Sequence, residues 1–295
     1  MKTALLFAMF GIAALAGTSG VASAQSPYKS SADFDKYAMK LRESTLLSMA
    51  PQVIVPTSTR TFANGSLYPW KRNIVTTIFW VGEAASANNP VHNRSSSWDL
   101  NWSTSFGGYD NPEPSSRRNY CPVGFTPKQN PFYFALPYND VTHSNTKPEA
   151  RLVIPWYKQT FVKDGQSICH DRWIAIRNPS TNKICYAQWS DCGPFRTDHW
   201  QYVFGNEVPK PNLNRGAGLD ISPAVRDFLG VGPMSVLDWR FVEFNEIPRG
   251  PWSNYGDNNT FVQMARGGGS KLAMKADAPP AVKNTPAEPR IIFGK

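Results

Sequence analysis

The sequence predicts a mainly β fold with short helices, and three patterns support this prediction. Residues 73–83 (NIVTTIFWVGE) are rich in β-branched and aromatic side chains, a composition that is typical of strands. Residues 172–178 and 183–191 flank a Pro-Ser-Thr turn and have the pattern of a β-hairpin. Residues 238–242 (DWRFV) have the pattern of a closing strand.

Between the hairpin and the closing strand, the sequence predicts one short helix. Ser222 is a favourable N-cap, because its hydroxyl can accept a hydrogen bond from a free backbone N–H of the first turn. Pro223 suits the first helical position, where no backbone N–H is needed. Gly230 follows the apolar residues and is typical of a helix C-terminus.

These segments resemble the double-psi β-barrel families. GLDISPAVRDFLG (218–230) and WRFV (239–242) resemble the bacterial expansins, which are similar to plant expansins and to the family forty-five endoglucanases. SDCGPF (190–195) resembles rare lipoprotein A and, more distantly, membrane-bound lytic transglycosylase A. The resemblance covers residues 71–246 and implies a six-stranded double-psi β-barrel. Such barrels include enzymes that cut glycans, proteins that loosen them and proteins that only bind.

The N-terminus has the pattern of a cleavable secretory signal. Residues 1–24 contain a lysine, an apolar run and a small-residue ending, so cleavage is expected after Ala24. No later stretch approaches the ~20 apolar residues that a membrane span needs. We therefore expect a secreted or periplasmic protein without an integral membrane segment.

The chain after the signal is expected to have three parts. They are an N-terminal helix with an extended connector at 25–70, the barrel at 71–246 with a long insertion at 84–130, and an extended, largely disordered tail at 247–295. The insertion is rich in Asn, Ser, Gly and Pro, and loops of this length are often functional. The tail is predicted to be disordered from its Gly, Ala, Pro and Lys content.

Charge and composition narrow the class of partner. The formal net charge of +9 favours an anionic polymer such as a cell wall, although an indifferent basic surface fits the same number. Nucleic acid is disfavoured for an exported chain without a recognisable binding motif. The four histidines lack metal-ligand spacing, so we expect neither a metal site nor a cofactor. The sequence leaves the oligomeric state open.

The four cysteines predict two disulfides. They are Cys121, Cys169, Cys185 and Cys192. An even number in an oxidising compartment favours pairing, and three pairings are possible. Placing Arg177 opposite Ile184 in the hairpin sets Cys169 opposite Cys192, which favours that pair and leaves Cys121 with Cys185. A shift of one residue in the register would remove this preference.

Two acidic residues are the candidate catalytic groups. Cleaving a glycosidic bond needs a proton donor at the leaving oxygen and usually a second carboxylate. By resemblance, Asp220 matches the essential acid of expansins and the proton donor of the related endoglucanases. Asp191 matches the acid before Gly-Pro in rare lipoprotein A and is similar to the single acid of the lytic transglycosylases. Each also fits a structural role in which its carboxylate bonds loop amides.

Other polar and aromatic residues complete the candidate site. A solvated surface role is the favoured interpretation for the looser second-carboxylate candidates, Glu83, Asp99, Asp110, Asp140 and Asp198. Sugar rings stack on exposed aromatic rings, and the chain has ten tryptophans. The candidate substrate-binding residues are Trp98, Trp102, Trp189, Trp200, Tyr202, Tyr138 and Asp140. For Trp189, strand alternation makes a core role equally compatible.

The sequence therefore predicts an exported protein that acts on a polysaccharide, with peptidoglycan as the expected partner. The enzyme hypothesis is cleavage of glycan strands with Asp191 or Asp220 as general acid, and it expects one of them to have a raised pKa in an open groove. One alternative is a non-catalytic, expansin-like or wall-binding module. The other is a protein-interaction or inhibitor module that makes contact through residues 84–130.

Overall fold

The computed structural model describes residues 36–37, 40, 67–87 and 89–267. The predicted signal lies outside the described residues, as does most of the 25–70 segment. The strands, in chain order, are β1 (Lys71–Ile78), β2 (Arg117–Arg118), β3 (Cys121–Pro122), β4 (Tyr133–Leu136), β5 (Val141–Thr142), β6 (Asn145–Thr146), β7 (Trp173–Arg177), β8 (Ile184–Cys192), β9 (Leu219–Ile221) and β10 (Met234–Phe241). Six of them close into a barrel in the order β1-β10-β7-β8-β4-β9, so the mainly β prediction is confirmed.

The helices of the described residues are short. They are α1 (Trp102–Phe106), α2 (Ala150–Val153), α3 (Tyr157–Thr160), α4 (Trp200–Val203), α5 (Pro223–Leu229) and α6 (Thr260–Ala265), with 3₁₀ turns at Pro114–Ser116, Phe244–Glu246 and Pro251–Ser253. The predicted helix α5 is confirmed: Ser222 Oγ accepts from Val225 N at 3.3 Å, and Gly230 ends it at φ 66°. No helix in this part of the chain combines the length and apolar character that crossing a bilayer requires.

The strand pairing is the same in the two halves of the barrel. In the first half, β1 is antiparallel to β10 and parallel to β9. In the second half, β8 is antiparallel to β7 and parallel to β4. The remaining pairs, β4 with β9 and β10 with β7, are antiparallel and join one half to the other. Exchanging the halves therefore reproduces the strand order, and closure leaves no unpaired edge.

Alternation along β4 separates two apolar clusters. Phe134 and Leu136 belong to the main core inside the barrel, which also holds Trp239. Tyr133 and Ala135 face the other way, into a smaller cluster that the insertion covers with Trp102, Phe106 and others. Successive strand residues point to opposite faces, so one short strand serves both clusters. The insertion is thus packed against the outer wall of the barrel.

A buried ion pair inside the insertion is also bonded to the barrel wall and to α5. Asp110 is fully buried, bonds the guanidinium of Arg117 and accepts a hydrogen bond from Tyr133 Oη at 2.9 Å. Arg117 also pairs with Asp227 of α5 at 3.0 Å. Removing one partner of such a pair leaves a buried, unpaired charge, which costs about 3–5 kcal/mol.

The structure differs from the predicted tail between residues 247 and 267. This segment contains the Pro251–Ser253 turn and α6, and it buries Trp252 and Phe261 in the main core. Asn258 accepts from the backbone N–H of Asn130 at 2.8 Å. The polar composition predicted an extended chain, but its few large apolar side chains are enough to dock it. Residues 268–295 lie outside the described part of the chain.

The four cysteines are free thiols, so the predicted disulfides Cys169–Cys192 and Cys121–Cys185 are not formed. The hairpin register behind the first pair is confirmed, since Arg177 lies opposite its predicted partner. Burial raises the pKa of all four thiols. A thiol attacks another sulfur only as the thiolate, which these environments disfavour.

If residues 247–267 are docked on the barrel, removing a side chain that docks them should lower the free energy of unfolding. Trp252→Ala is expected to lower the free energy of unfolding by about 3–5 kcal/mol, because it removes a ring that is only 5% exposed in the core. Urea unfolding followed by circular dichroism measures the change. Leu213→Ala, at a side chain that is 74% exposed, is the control and should change stability by less than about 0.5 kcal/mol. Equal stabilities for the two variants would contradict the docking.

Candidate functional site

The two predicted acids lie in one row across the barrel wall. Asp220 on β9 pairs with Ala135 on β4, and Ala135 pairs on its other side with Asp191 on β8. Thr77 on β1 extends the row beyond Asp220. Paired residues on neighbouring strands share one face of a sheet, so these four side chains point the same way. Two strand spacings separate the acids, which puts their Cα atoms about 10 Å apart.

For Asp220, strand alternation is enough to turn the carboxylate outward. Leu219 and Ile221, on either side of it, are both buried in the main core. Asp220 therefore faces the opposite side, the outer wall that Ala135 also faces. Ala135 lines the groove between the two acids.

For Asp191, a β-bulge is needed to reach the same face. Trp189 is buried in the main core, and a regular strand would turn the residue two positions later inward as well. Phe134 lies opposite Trp189, but the next residue of β4, Ala135, lies opposite Asp191. Ser190 is thus the extra residue on β8. Bulges re-aim side chains and are over-represented beside functional sites.

The Asp220 carboxyl accepts a side-chain hydrogen bond at one of its oxygens, and its pKa is raised. The hydroxyl of Thr77 donates to Oδ1, and Oδ2 lies 3.4 Å from the place where a Cβ on Gly193 would be. Burial raises the pKa of Asp220 to about 7. The Thr77 hydrogen bond opposes this rise, and the negative charges of Glu83 and Asp191 add to it. Near neutral pH, both forms of Asp220 are therefore populated.

Asp191 is held through backbone amides. Its Oδ1 accepts from Ser97 N and from Cys192 N, both at 2.7 Å. Burial raises the pKa of Asp191, and these two amides limit the rise because they favour the carboxylate. Since Ser97 belongs to the 84–130 insertion, the insertion helps to orient this acid.

A third carboxylate, Glu83, follows β1. Its Oε2 accepts from Asn93 Nδ2 at 2.8 Å, and its backbone also pairs with Asn93 at 2.9 Å. Burial raises the pKa of Glu83. The solvated surface role expected from the sequence therefore does not hold for Glu83, whose negative charge acts on Asp220.

The three carboxylates line one groove of about 640 Å³. Its floor is the row described above, and its walls come from the chain between 83 and 97, the turn at 193–197, and residues 214 and 233–234. This volume lies within the range of about 300–1,000 Å³ that ligand sites commonly have. Among the described residues, no three His, Cys, Asp or Glu side chains are placed to hold a metal ion.

Most of the predicted ring platforms are core residues. The buried ones are Trp102, Trp189, Trp200, Tyr202 and Tyr138. Trp189 stacks on Phe134 with 5.8 Å between ring centres, and Tyr202 accepts a hydrogen bond from Trp239 Nε1 at 2.8 Å. A ring that is packed on both faces has no surface for a sugar. For Trp189, the core interpretation is the one that agrees with the structure.

Trp98 and Asp140, the other two predicted substrate-binding residues, do not line the groove. Trp98 is partly buried and packs edge-on against Trp189 at 5.8 Å. Asp140 is fully buried and accepts from Ser167 Oγ at 2.6 Å and Ile168 N at 2.7 Å. Asp140 therefore ties down the loop before β7.

Sequence reasoning missed most of the groove lining, including Thr77, Ser97 and Phe195. Phe195 ends the SDCGPF segment that carries Asp191, so the same segment indicates that Phe195 lies near the acid. Alternation along β1 indicates the position of Thr77. Ile74 points into the core, and a residue three positions later points to the opposite face, where the groove lies. Nothing local marks Ser97, because its contact with Asp191 joins residues 94 positions apart.

The raised pKa of Asp220 predicts a pH-dependent loss of stability. Between about pH 4 and 7 the folded protein keeps a proton that the unfolded chain releases, so the free energy of unfolding falls as pH rises. Relative to Asp220→Asn, the wild type should lose up to about 4 kcal/mol across this window and change little above it. Urea titrations at pH 4, 6 and 8 measure the difference. Asp198→Asn, at a side chain that is 59% exposed, keeps Asp220 and should follow the wild type across this window.

The Thr77 hydroxyl is expected to tune this pKa. Thr77→Val keeps the shape of the side chain but removes the hydrogen bond that favours the Asp220 carboxylate, so the pKa of Asp220 should rise above about 7. A carbon-13 NMR titration of the Asp220 carboxyl measures it. Thr104→Val, at an exposed position on α1, is the matched control. A pKa that stays constant or falls would contradict the assigned role.

Comparisons with known proteins add no family to this description. No protein-family model matches the chain, and a search of curated proteins finds no match. The chemistry of the site is therefore interpreted from its own geometry, in which Asp191 and Asp220 flank Ala135 over one groove.

Proposed function

We propose that this chain is an exported, polysaccharide-active protein that cleaves glycan strands, with peptidoglycan as its substrate. One observation carries the proposal: Asp191 and Asp220 flank Ala135 and line the same groove. Two carboxylates on either side of a substrate groove are the arrangement that most glycosidases use. The secretory pattern of residues 1–24 supports export, to the periplasm or the cell exterior.

We further propose that the barrel is of the double-psi type. The strand order that repeats between the two halves, with one parallel pair in each, supports this assignment. So does the position of the two segments that resemble double-psi proteins. SDCGPF carries Asp191 at the end of β8, and GLDIS carries Asp220 on β9, so both segments converge on the groove.

In this proposal, Asp220 is the general acid. Protonating the glycosidic oxygen requires a carboxyl group that still holds its proton near neutral pH, and the pKa of Asp220 is raised to about 7. The proton moves from the carboxyl to the leaving oxygen as the bond to the anomeric carbon breaks. The neighbouring negative charges of Glu83 and Asp191 favour recovery of the proton afterwards.

Asp191 is assigned the second carboxylate role. Two backbone amides hold its Oδ1 and stabilise its charged form. A carboxylate so placed stabilises the positive charge that develops on the sugar, and it can also act as base or nucleophile. The Cα separation of about 10 Å is compatible with the carboxyl separations of both retaining and inverting enzymes. Product analysis decides between hydrolysis and intramolecular displacement by the sugar's own hydroxyl.

The charge of the protein agrees with a wall substrate. The full chain carries a net charge of +9, and removing Lys2 with the proposed signal leaves +8, which attracts an anionic polymer matrix over long range. The groove itself is lined by three acids and Arg196. Because the attraction is screened by salt, binding to the wall is expected to weaken as ionic strength rises.

The test incubates the mature chain, residues 25–295, with intact peptidoglycan sacculi and identifies soluble products by mass spectrometry. Asp220→Asn is expected to lower the rate by about 10²–10⁴-fold, because it removes the general acid. Asp191→Asn is expected to lower it as well. Asp198→Asn, outside the groove, is the matched control and should cleave like the wild type.

The products distinguish the candidate activities. Anhydro-sugar ends would assign a lytic transglycosylase, and reducing ends would assign a hydrolase. Sacculi that bind the protein but release nothing would replace cleavage with the wall-binding alternative. If the sacculi neither bind the protein nor release products, the wall proposal is overturned.

A further inference from the structure

We infer that Phe195 is a sugar-stacking residue of the groove and forms a subsite for one pyranose ring beside Asp220. This inference rests on the proposed function, since it names the part of the glycan that the same site would hold. It assigns the platform role to a residue outside the tryptophan and tyrosine candidates, most of which the fold has buried.

The position of Phe195 places it next to the acids. It lines the groove together with Asp191 and Asp220. A Cβ on Gly193 would lie 3.4 Å from Asp220 Oδ2 and 3.9 Å from the backbone nitrogen of Phe195. The turn that follows β8 therefore places the backbone nitrogen of Phe195 and the carboxylate of Asp220 close to the same glycine.

The backbone at Phe195 is strained. Its φ is 60°, in the left-handed region that bulky side chains rarely adopt. The N–H of Arg196 donates to Pro194 O at 2.7 Å, which closes a three-residue γ-turn around Phe195. A γ-turn with positive φ is rare and unfavourable. Glycine would relieve this strain, so the phenyl ring is present at a conformational cost.

Core packing does not account for that cost. Phe195 is 41% exposed. Phe161 makes the contrast clear: it is similarly exposed, at 37%, but it stacks on Tyr157 with 4.8 Å between ring centres and a normal backbone. Strain of this kind clusters at ligand sites, so at an exposed ring in a groove it points to a ligand contact.

The chemistry of the groove fits a sugar ring at this place. A pyranose has apolar C–H faces and polar hydroxyl edges, and its C–H groups are attracted to the negative face of an aromatic ring. The phenyl ring has no polar atom and offers only that face. Val91 and Met234, exposed at 64% and 40%, extend the apolar rim, while the floor is acidic. An apolar rim over carboxylates suits a ligand with apolar faces and hydroxyl edges.

The test compares Phe195→Gly, Phe195→Trp and Phe161→Ala in the mature chain. Binding is measured as the fraction retained by peptidoglycan sacculi across protein concentrations, KM and kcat from product release, and stability from thermal unfolding. Phe195→Gly should weaken binding and raise KM about tenfold, with a smaller change in kcat and no fall in Tm, because it removes the ring but relieves the φ strain. Phe195→Trp should retain binding, and Phe161→Ala should bind like the wild type.

The outcomes separate this subsite from the proposed function. Wild-type binding by Phe195→Gly would overturn the subsite alone. A fall in Tm that parallels the loss of binding would also overturn it, because it would assign the ring a structural role. If the wild-type protein neither binds nor cleaves sacculi, the proposed function and the subsite both fail.

Discussion

The register of β4 against its two neighbours is the constraint on which the site depends. Ala135 must lie opposite both Asp191 and Asp220 for the acids to share one face. A slip of one residue along β4 would turn Ala135 into the barrel and a core side chain such as Phe134 outward between the acids. Closure of the barrel prevents such a slip, because each of its six strands is paired on both sides. The bulge at Ser190 is the local exception that brings the second acid into line.

Burying three carboxylates in the groove costs free energy, which the packing of the rest of the fold offsets. Burial raises the pKa of Asp191, Asp220 and Glu83, so their charged forms are less stable in the groove than in water. The surrounding core is aromatic and closely packed, and a second cluster beneath the insertion adds to it. Polar donors such as Thr77 and Ser97 limit the cost without removing it. The same environment makes a carboxyl group useful as a proton donor.

The insertion and residues 247–267 pack against the barrel, which an unstructured loop and an unstructured tail would not do. The insertion packs Trp102 against the outer wall and supplies an amide to Asp191. Its own buried ion pair bonds to the barrel wall and to α5. Residues 247–267 add Trp252 to the core. Composition suggested little structure in either segment. Their order depends on a few large side chains whose partners are distant in sequence, and composition does not report such pairs.

The sequence by itself determined the β character, the helix from Pro223 to Leu229 and the hairpin register, because alternation, capping and turn chemistry are local. Only the tertiary structure decided which faces those elements present. It buried five of the predicted aromatic platforms and left Phe195 exposed in the groove. It also turned Asp191 outward through a bulge that strict alternation does not predict. Burial and cross-strand contact are properties of the closed barrel, and they are set by residues far apart in the chain.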